Sequence, residues 1–317
     1  MPDDDMAFQR TYKALATNLD KALKEFQLSS SKFRVLQTIN PSDPTKPQPP
    51  TPVVRSDSPR TLFILDSSFN PPSIAHQTLV ESALQTSNSS RYPKPHRLLL
   101  LFSTQNADKA PSAASFDQRL TLMTIFASDI LSNLLSSSTS DDFSISSIDI
   151  GVTTAPYYTD KSASIDTDSS SPDAYYPRRP DGETAKHIHL IGFDTATRFF
   201  APKYYPSFTP PLSALQPYFT AGHSLRVTLR PDPQFGSVAE QRAWLARLGE
   251  GGLEAEGGKR EWASQVEVVE ANERADIRKA AKAGEWEVVR GLCTEGVARW
   301  VESGRLYSED ARGAKMG

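Results

Sequence analysis

The sequence predicts an α/β protein built on a doubly wound, mostly parallel sheet with helices on both faces. Three observations point there. Short apolar runs suited to buried strands alternate with segments of helical periodicity over roughly 200 residues. The first such unit, Thr61 to Leu84, passes from strand to helix through a polar corner closed by two prolines. An amphipathic segment, Asp5 to Gln27, stands ahead of it as an added N-terminal helix.

Phe8, Tyr12, Leu15, Leu19, Leu23 and Phe26 recur at spacings of three and four, which puts them on one helical face. A single apolar face is the normal state of a helix docked on its own domain. The alternative is a surface for a protein partner or a second copy of the chain. Pro41 to Pro59 holds seven prolines and reads as a stiff linker or an extended wrap. Strands are expected at Thr61–Leu65, Arg97–Phe102, Phe143–Ile150, His187–Gly192, Ser224–Leu229 and Gln265–Val269. Helices are expected over Ser73–Leu84, Phe116–Leu135, Thr195–Phe200 and Ser237–Leu248, with three short ones from Arg274 to Ser303. Residues 153–186 are polar and rich in Ser, Asp and Pro, and read as a mobile loop or a disordered insertion. The division is therefore 1–40 helical extension, 41–60 linker, 61–307 catalytic-type domain, and 308–317 tail.

Composition narrows the partners. The net charge of −3 offers no basic field for nucleic acid. The longest apolar run, Leu98 to Phe102, is too short to span a bilayer, and the acidic start MPDDDM has no secretory pattern. A single cysteine, Cys293, fits a reducing compartment, cytoplasmic or nuclear.

Common phosphate and metal motifs are absent. No GxGxxG opens the first helix. Gly252 to Lys259 has the wrong spacing for a P-loop, and no HExxH or paired CxxC is present. The distinctive stretch is the corner Ser67-Ser68-Phe69-Asn70-Pro71-Pro72-Ser73, with His76 three residues further on. A strand running into a helix N-terminus gathers unpaired N–H groups at the positive end of the helix dipole, which suits an anion. With Ser73 as the N-cap, a hydroxyl and an imidazole stand over a phosphate-sized hole.

At this point the residues resemble a family. SSFNPPSIAH is similar to the GxFNPxHxGH signature of the nucleotidylyltransferase superfamily, and more closely to a fungal branch of the nicotinamide-mononucleotide adenylyltransferases. STQNADKAPSAASFDQRLTLM resembles the segment with a phosphate-facing lysine and places Lys109 and Arg119. APYYTDK resembles the segment that contacts nicotinamide and places Tyr158 and Thr159. HLIGFDTATRFFAPKYY places Gly192, Asp194, Phe199, Pro202 and Tyr205, and LRVTLRPDP places Arg230. The terminal helices resemble those after an ISSTxIR motif and place Ile277 and Arg278. In place of ISST the chain reads Asn272-Glu273-Arg274-Ala275.

The resemblance implies a Rossmann-like fold of nucleotidylyltransferase type. It also implies transfer of AMP from ATP to nicotinamide mononucleotide, giving NAD and pyrophosphate. His76, Lys109 and Arg278 would carry the catalysis. Ser67, Ser68, Phe69, Ser73, Gly192, Asp194 and Ile277 would join His76 and Arg278 around ATP. Tyr158, Thr159, Tyr205 and Arg230 would hold the mononucleotide, and Mg²⁺ would enter with ATP. The altered residues 272–275 motivate two alternatives: an adenylyltransferase for another phosphorylated acceptor, and a degenerate member acting as an adaptor. Ordinary structural roles compete at several positions. Lys109 and Arg119 could be solvated charges, Asp194 an N-cap, and the tyrosines packing residues. His187 and His189 share one strand face and receive no role.

Overall fold

A computed structural model describes residues 2–85, 91–105, 114–137, 145–171, 173–270 and 277–307. Its centre is one sheet in which β3 (Thr61–Asp66) lies between β4 (His96–Ser103) and β6 (Lys186–Gly192), parallel to both. β5 (Ile145–Thr153) continues the parallel set beyond β4. β7 (Ser224–Leu229) and β8 (Val266–Glu270) continue it beyond β6. The parallel order is thus β5-β4-β3-β6-β7-β8. The chain winds outward one way from β3 and then returns to wind the other way, so the topological switch point lies between β3 and β6. The expected doubly wound α/β sheet is the one observed.

Two strands were not expected. β1 (Phe33–Asn40) pairs antiparallel with β5, and β2 (Asp43–Gln48) pairs antiparallel with β1 at the sheet edge. Residues read from sequence as an extension and a linker therefore complete the main sheet. β1 is buried along nearly its whole length and shows no alternation to betray it. β2 reads DPTKPQ, and its two prolines argue for a linker. An edge strand tolerates them because one side of it has no ladder to complete.

Residues 153–186 are also ordered around a helix, α4 (Tyr158–Asp168). Beyond α4 the chain folds back on a buried carboxylate. Asp149 is fully buried and accepts hydrogen bonds from Tyr175 and Tyr176 at 2.8 and 2.7 Å. It also accepts from Thr38 at 2.8 Å and from two nitrogens of Arg97 at 2.8 Å each. A polar composition had hidden a segment whose tyrosine hydroxyls are its anchors.

The N-terminal helix α1 (Pro2–Leu28) is docked on its own chain. Tyr12, Leu19, Leu23 and Phe26 are buried with α3 (Phe116–Ser137) in the larger core. Phe8 and Tyr12 meet the edge of Trp300 on α10 (Glu295–Ser303) at 6.3 and 6.0 Å. Arg299 lies over Phe8 and donates to Asp5 at 2.6 Å. The apolar face is thus filled within the chain. The other helices are α2 (Ile74–Gln85), α5 (Phe193–Phe199), α6 (Gln216–Thr220), α7 (Val238–Gly249), α8 (Ile277–Ala283) and α9 (Trp286–Leu292). No helix of the described residues is long and apolar enough to cross a membrane.

Candidate functional site

A cleft of about 1390 Å³ opens over the carboxyl ends of β3, β6 and β7, where the switch point puts ligands in such sheets. Its floor begins at the corner after β3. Ser67, Ser68, Ser73 and His76 all line it. The Ser73 hydroxyl accepts from the His76 backbone N–H at 3.4 Å, the N-cap contact expected of it. In return the Ser73 backbone N–H donates to His76 Nδ1 at 3.1 Å. The imidazole closes a capping box in the place usually held by Glu or Gln.

That reciprocity decides the histidine's proton. A nitrogen that accepts from a backbone N–H offers its lone pair, so in this geometry the proton sits on Nε2. Nε2 then donates to the Ser67 hydroxyl at 2.9 Å. His76 is therefore a neutral donor here, a sharper statement than the charged contact the sequence suggested. Phe69 lies beneath it. Its ring is fully buried, 5.5 Å from the imidazole, on a backbone of φ 44°. A bulky residue in the left-handed region is rare, and packing must hold it there. Phe69 was expected among the ATP contacts, but its side chain supports the floor from below and does not line the cleft. Arg119 also works from behind. It is buried, stacks over Phe102 at 4.3 Å, and donates to the Ser68 carbonyl at 2.7 Å.

The other side of the cleft comes from β6, β7 and α4. Gly192 caps α5 without a side chain, and a Cβ there would come 2.7 Å from Asp194 Oδ1. A side chain would push that carboxylate aside. Asp194 is in the first turn of α5 and faces the cleft, so it is not the N-cap. Tyr158 and Tyr205 both line the cleft. Tyr205 is buried, and its hydroxyl donates to the Phe199 carbonyl at 2.8 Å. Arg230 directly follows β7, and its backbone is clamped by buried Gln241 on α7, which accepts from its N–H at 3.2 Å and donates to its carbonyl at 2.6 Å. Ile277 and Arg278 complete the lining from α8.

Thr159 does not line the cleft, because the helix turns it away from the face of Tyr158. Lys109 lies outside the described residues, as do Asn272, Glu273, Arg274 and Ala275.

The cleft also contains what sequence reasoning missed. Lys161, one helical turn beyond Tyr158, forms a buried ion pair with Asp66 at the end of β3. Its ammonium also lies 4.7 Å from the centre of the Tyr158 ring. Its spacing of three from Tyr158 within APYYTDK was the available signal. Arg198 lines the cleft 3.9 Å from Asp194. Arg230 and Arg278 have no ion pair among the described residues, which leaves two cations facing the space. The Tyr158 phenol is pushed well above its ordinary pKa, first by burial and then by Asp66 and Asp194. It remains a neutral hydroxyl.

One group among the described residues has metal-ligand spacing. Asp166, His187 and His223 bring their ligand atoms within 4.8 Å at the opposite end of the sheet. His223 Nδ1 accepts from the His187 backbone N–H at 3.1 Å, so its Nε2 carries the proton and donates to Asp166 at 3.0 Å. An imidazole with both nitrogens committed in this way has no lone pair for a metal. The cluster is a hydrogen-bonded part of the core.

Fold and cleft together define a Rossmann-like, doubly wound α/β protein with its site at the switch point. Comparison with known proteins makes this more particular. The chain is 31% identical over 170 residues to a curated protein of Schizosaccharomyces pombe named "Putative nicotinamide mononucleotide adenylyltransferase". The resemblance drawn from SSFNPPSIAH is to proteins of that name. The match covers 54% of this chain and 53% of the relative, so the chain spans about half the relative's length. A solved structure of a "Putative Nicotinate-nucleotide Adenylyltransferase" from Vibrio parahaemolyticus is 15% identical, with a TM-score of 0.32 over 79% of this chain and 96% of that one. That likeness is distant. No family model matches the chain.

Proposed function

We propose that this protein transfers the adenylyl group of ATP to nicotinamide mononucleotide, forming NAD and releasing pyrophosphate. The observation that carries the reading is the corner at Ser67–His76. A proton-bearing Nε2 and the N-terminus of α2 sit together on the floor of a cleft wide enough for two nucleotides. The curated relative's name supports the same reaction.

In this reaction a phosphate oxygen of the mononucleotide attacks the α-phosphorus of ATP, and the bond to the β-phosphate breaks. No protein nucleophile is needed, only alignment and stabilisation of negative charge. His76 Nε2–H, exchanging the Ser67 hydroxyl for the ligand, and the first N–H groups of α2 would hold ATP phosphate oxygens. Arg278, Arg230 and Lys109 would supply full positive charge. Asp194 would take a ribose hydroxyl or a backbone amide, and Tyr158 and Tyr205 would flank the pyridine ring. Mg²⁺ would neutralise phosphate charge. Its coordination would come mainly from phosphate oxygens and water, since the described residues build no carboxylate cage in the cleft.

The test is direct. Purified protein is incubated with ATP, Mg²⁺ and nicotinamide mononucleotide, and NAD is measured. Product is expected, with His76→Ala about a hundredfold slower in kcat/KM, the effect of losing one preorganised donor. No product above the His76→Ala level would overturn the reading. Product with a different phosphorylated acceptor alone would keep adenylyl transfer and change the substrate.

A further inference from the structure

Residues 44–54, PTKPQPPTPVV, run along and beyond the outer edge strand β2, and none of them lines the cleft. Their exposure repeats every three residues. Pro44, Pro47, Pro50 and Val53 are half-buried against their own chain, and the residues between them are exposed. A period of three belongs to the polyproline II helix, whereas a strand alternates with a period of two. Val54 has the backbone of that helix, with φ −62° and ψ 138°. Both ends of the stretch after β2 are fastened. The Gln48 carbonyl accepts from Gln37 Nε2, and the Val53 N–H donates to the Tyr175 carbonyl at 2.9 Å. Prolines inside β2 guard a sheet edge against stray pairing. Pro49, Pro50 and Pro52 follow the strand, where there is no ladder to guard.

A helix of three residues per turn has three edges. Here one is seated on the domain, and the other two form an exposed ridge. Lys46, Pro49 and Pro52 share one edge, and Gln48, Thr51 and Val54 the other. Val54 is 66% exposed, large for an aliphatic side chain. The Lys46 side chain is 75% exposed, and its ion pair with Asp43 at 3.3 Å lies at the surface. We propose that this ridge is a docking site for a protein domain of the SH3 type, which reads polyproline II helices in an aromatic-lined groove. The order Lys-x-x-Pro-x-x-Pro supplies what such a groove takes. Its aromatic rings pack on Pro49 and Pro52. An acidic group at the end of the groove takes Lys46 in exchange for Asp43. Pro47 and Pro50 stay on their own domain, so docking leaves the sheet edge intact. The seat already holds the ridge in the bound conformation, which removes much of the ordering cost of binding.

The experiment titrates the full chain by calorimetry into purified SH3 domains that take peptides of the form Lys/Arg-x-x-Pro-x-x-Pro. A free peptide of residues 44–54 is the comparison. Saturable binding is expected, with the full chain at least as tight as the peptide. Pro49→Ala with Pro52→Ala should weaken it about tenfold or more, as expected of central anchors. Lys46→Glu, which keeps both prolines, should weaken it about tenfold and settles the matter if the proline variant misfolds. Melting midpoints should stay at the wild-type value, because the three side chains are exposed. Binding of the peptide without binding of the full chain would show the ridge occluded and overturn the proposal. No binding of either, or binding that survives these substitutions, would overturn it equally. None of these readouts depends on adenylyl transfer.

Discussion

His76 shows how neighbours settle the chemistry of one side chain. Its identity was legible from spacing, since a histidine three residues after an N-cap faces the same turn. Its protonation was not, because that depends on which nitrogen meets the Ser73 N–H. Arg119 has the same lesson in reverse. Sequence left it between a site residue and a solvated charge, and it is neither. Burial pushes its guanidinium down to about 10, yet its Nε holds the Ser68 carbonyl. Arg119→Met should leave that carbonyl unsatisfied and destabilise the fold by about 1–3 kcal/mol. If the protein transfers adenylyl from ATP as proposed, the loosened corner should raise KM for ATP about tenfold. Denaturation and initial-rate kinetics check the two effects separately. Unchanged kinetics would show that the corner holds its shape without the arginine.

Among elements, the six central strands and the helix after the corner were readable because each has a run or a period of its own. β1, β2 and the segment after α4 were not, because their stability is borrowed from elsewhere. Asp149 is the device. It gathers donors from β1, β4 and residues 175–176, parts of the chain more than a hundred residues apart. Asp149→Ala removes the acceptor and strands the Arg97 charge. It should destabilise the protein by about 3–5 kcal/mol, measured as a lower midpoint in urea or heat. Proteolysis should begin in 153–186, the segment released. The docking of α1 is likewise a packing result. Phe26 is fully buried in the shared core, and Phe26→Ala should destabilise by about 3–5 kcal/mol. A near-neutral result in equilibrium unfolding would mean that α1 contributes little to the fold.

At the scale of the whole molecule, acid should be the weak side. His187 and His189 are buried, and desolvation holds both well below the ordinary value. Burial lowers His96 as well, with nearby Lys94 adding to it. In the unfolded chain these groups titrate at about 6.5. Below that pH the unfolded state binds more protons. The stability is therefore fully present above about pH 6.5 and is lost as pH falls, by about 1.4 kcal/mol per pH unit for each of His187 and His189. Asp129 acts the other way. Burial raises it to about 6, so the folded carboxyl takes its proton first and offsets part of the loss below that pH. The melting midpoint should fall from pH 7 to pH 5, and His189→Asn should flatten the slope by about one histidine's share. An unaltered slope would show that His189 is not among the titrating groups.

The sequence by itself determined the strand–helix alternation, the doubly wound sheet and the corner at its centre. Apolar runs, helical periods and capping residues act within a few positions, so each is visible where it stands. The tertiary structure alone decided the edge strands, the ordering of 153–186 and the partner of Lys161. Each depends on groups brought together across the sheet, and a charge's meaning depends on what faces it. The corner from Ser67 to His76 was readable as a strand turning into a capped helix N-terminus. That a lysine and an aspartate stand paired beside it, between β3 and α4, required the fold.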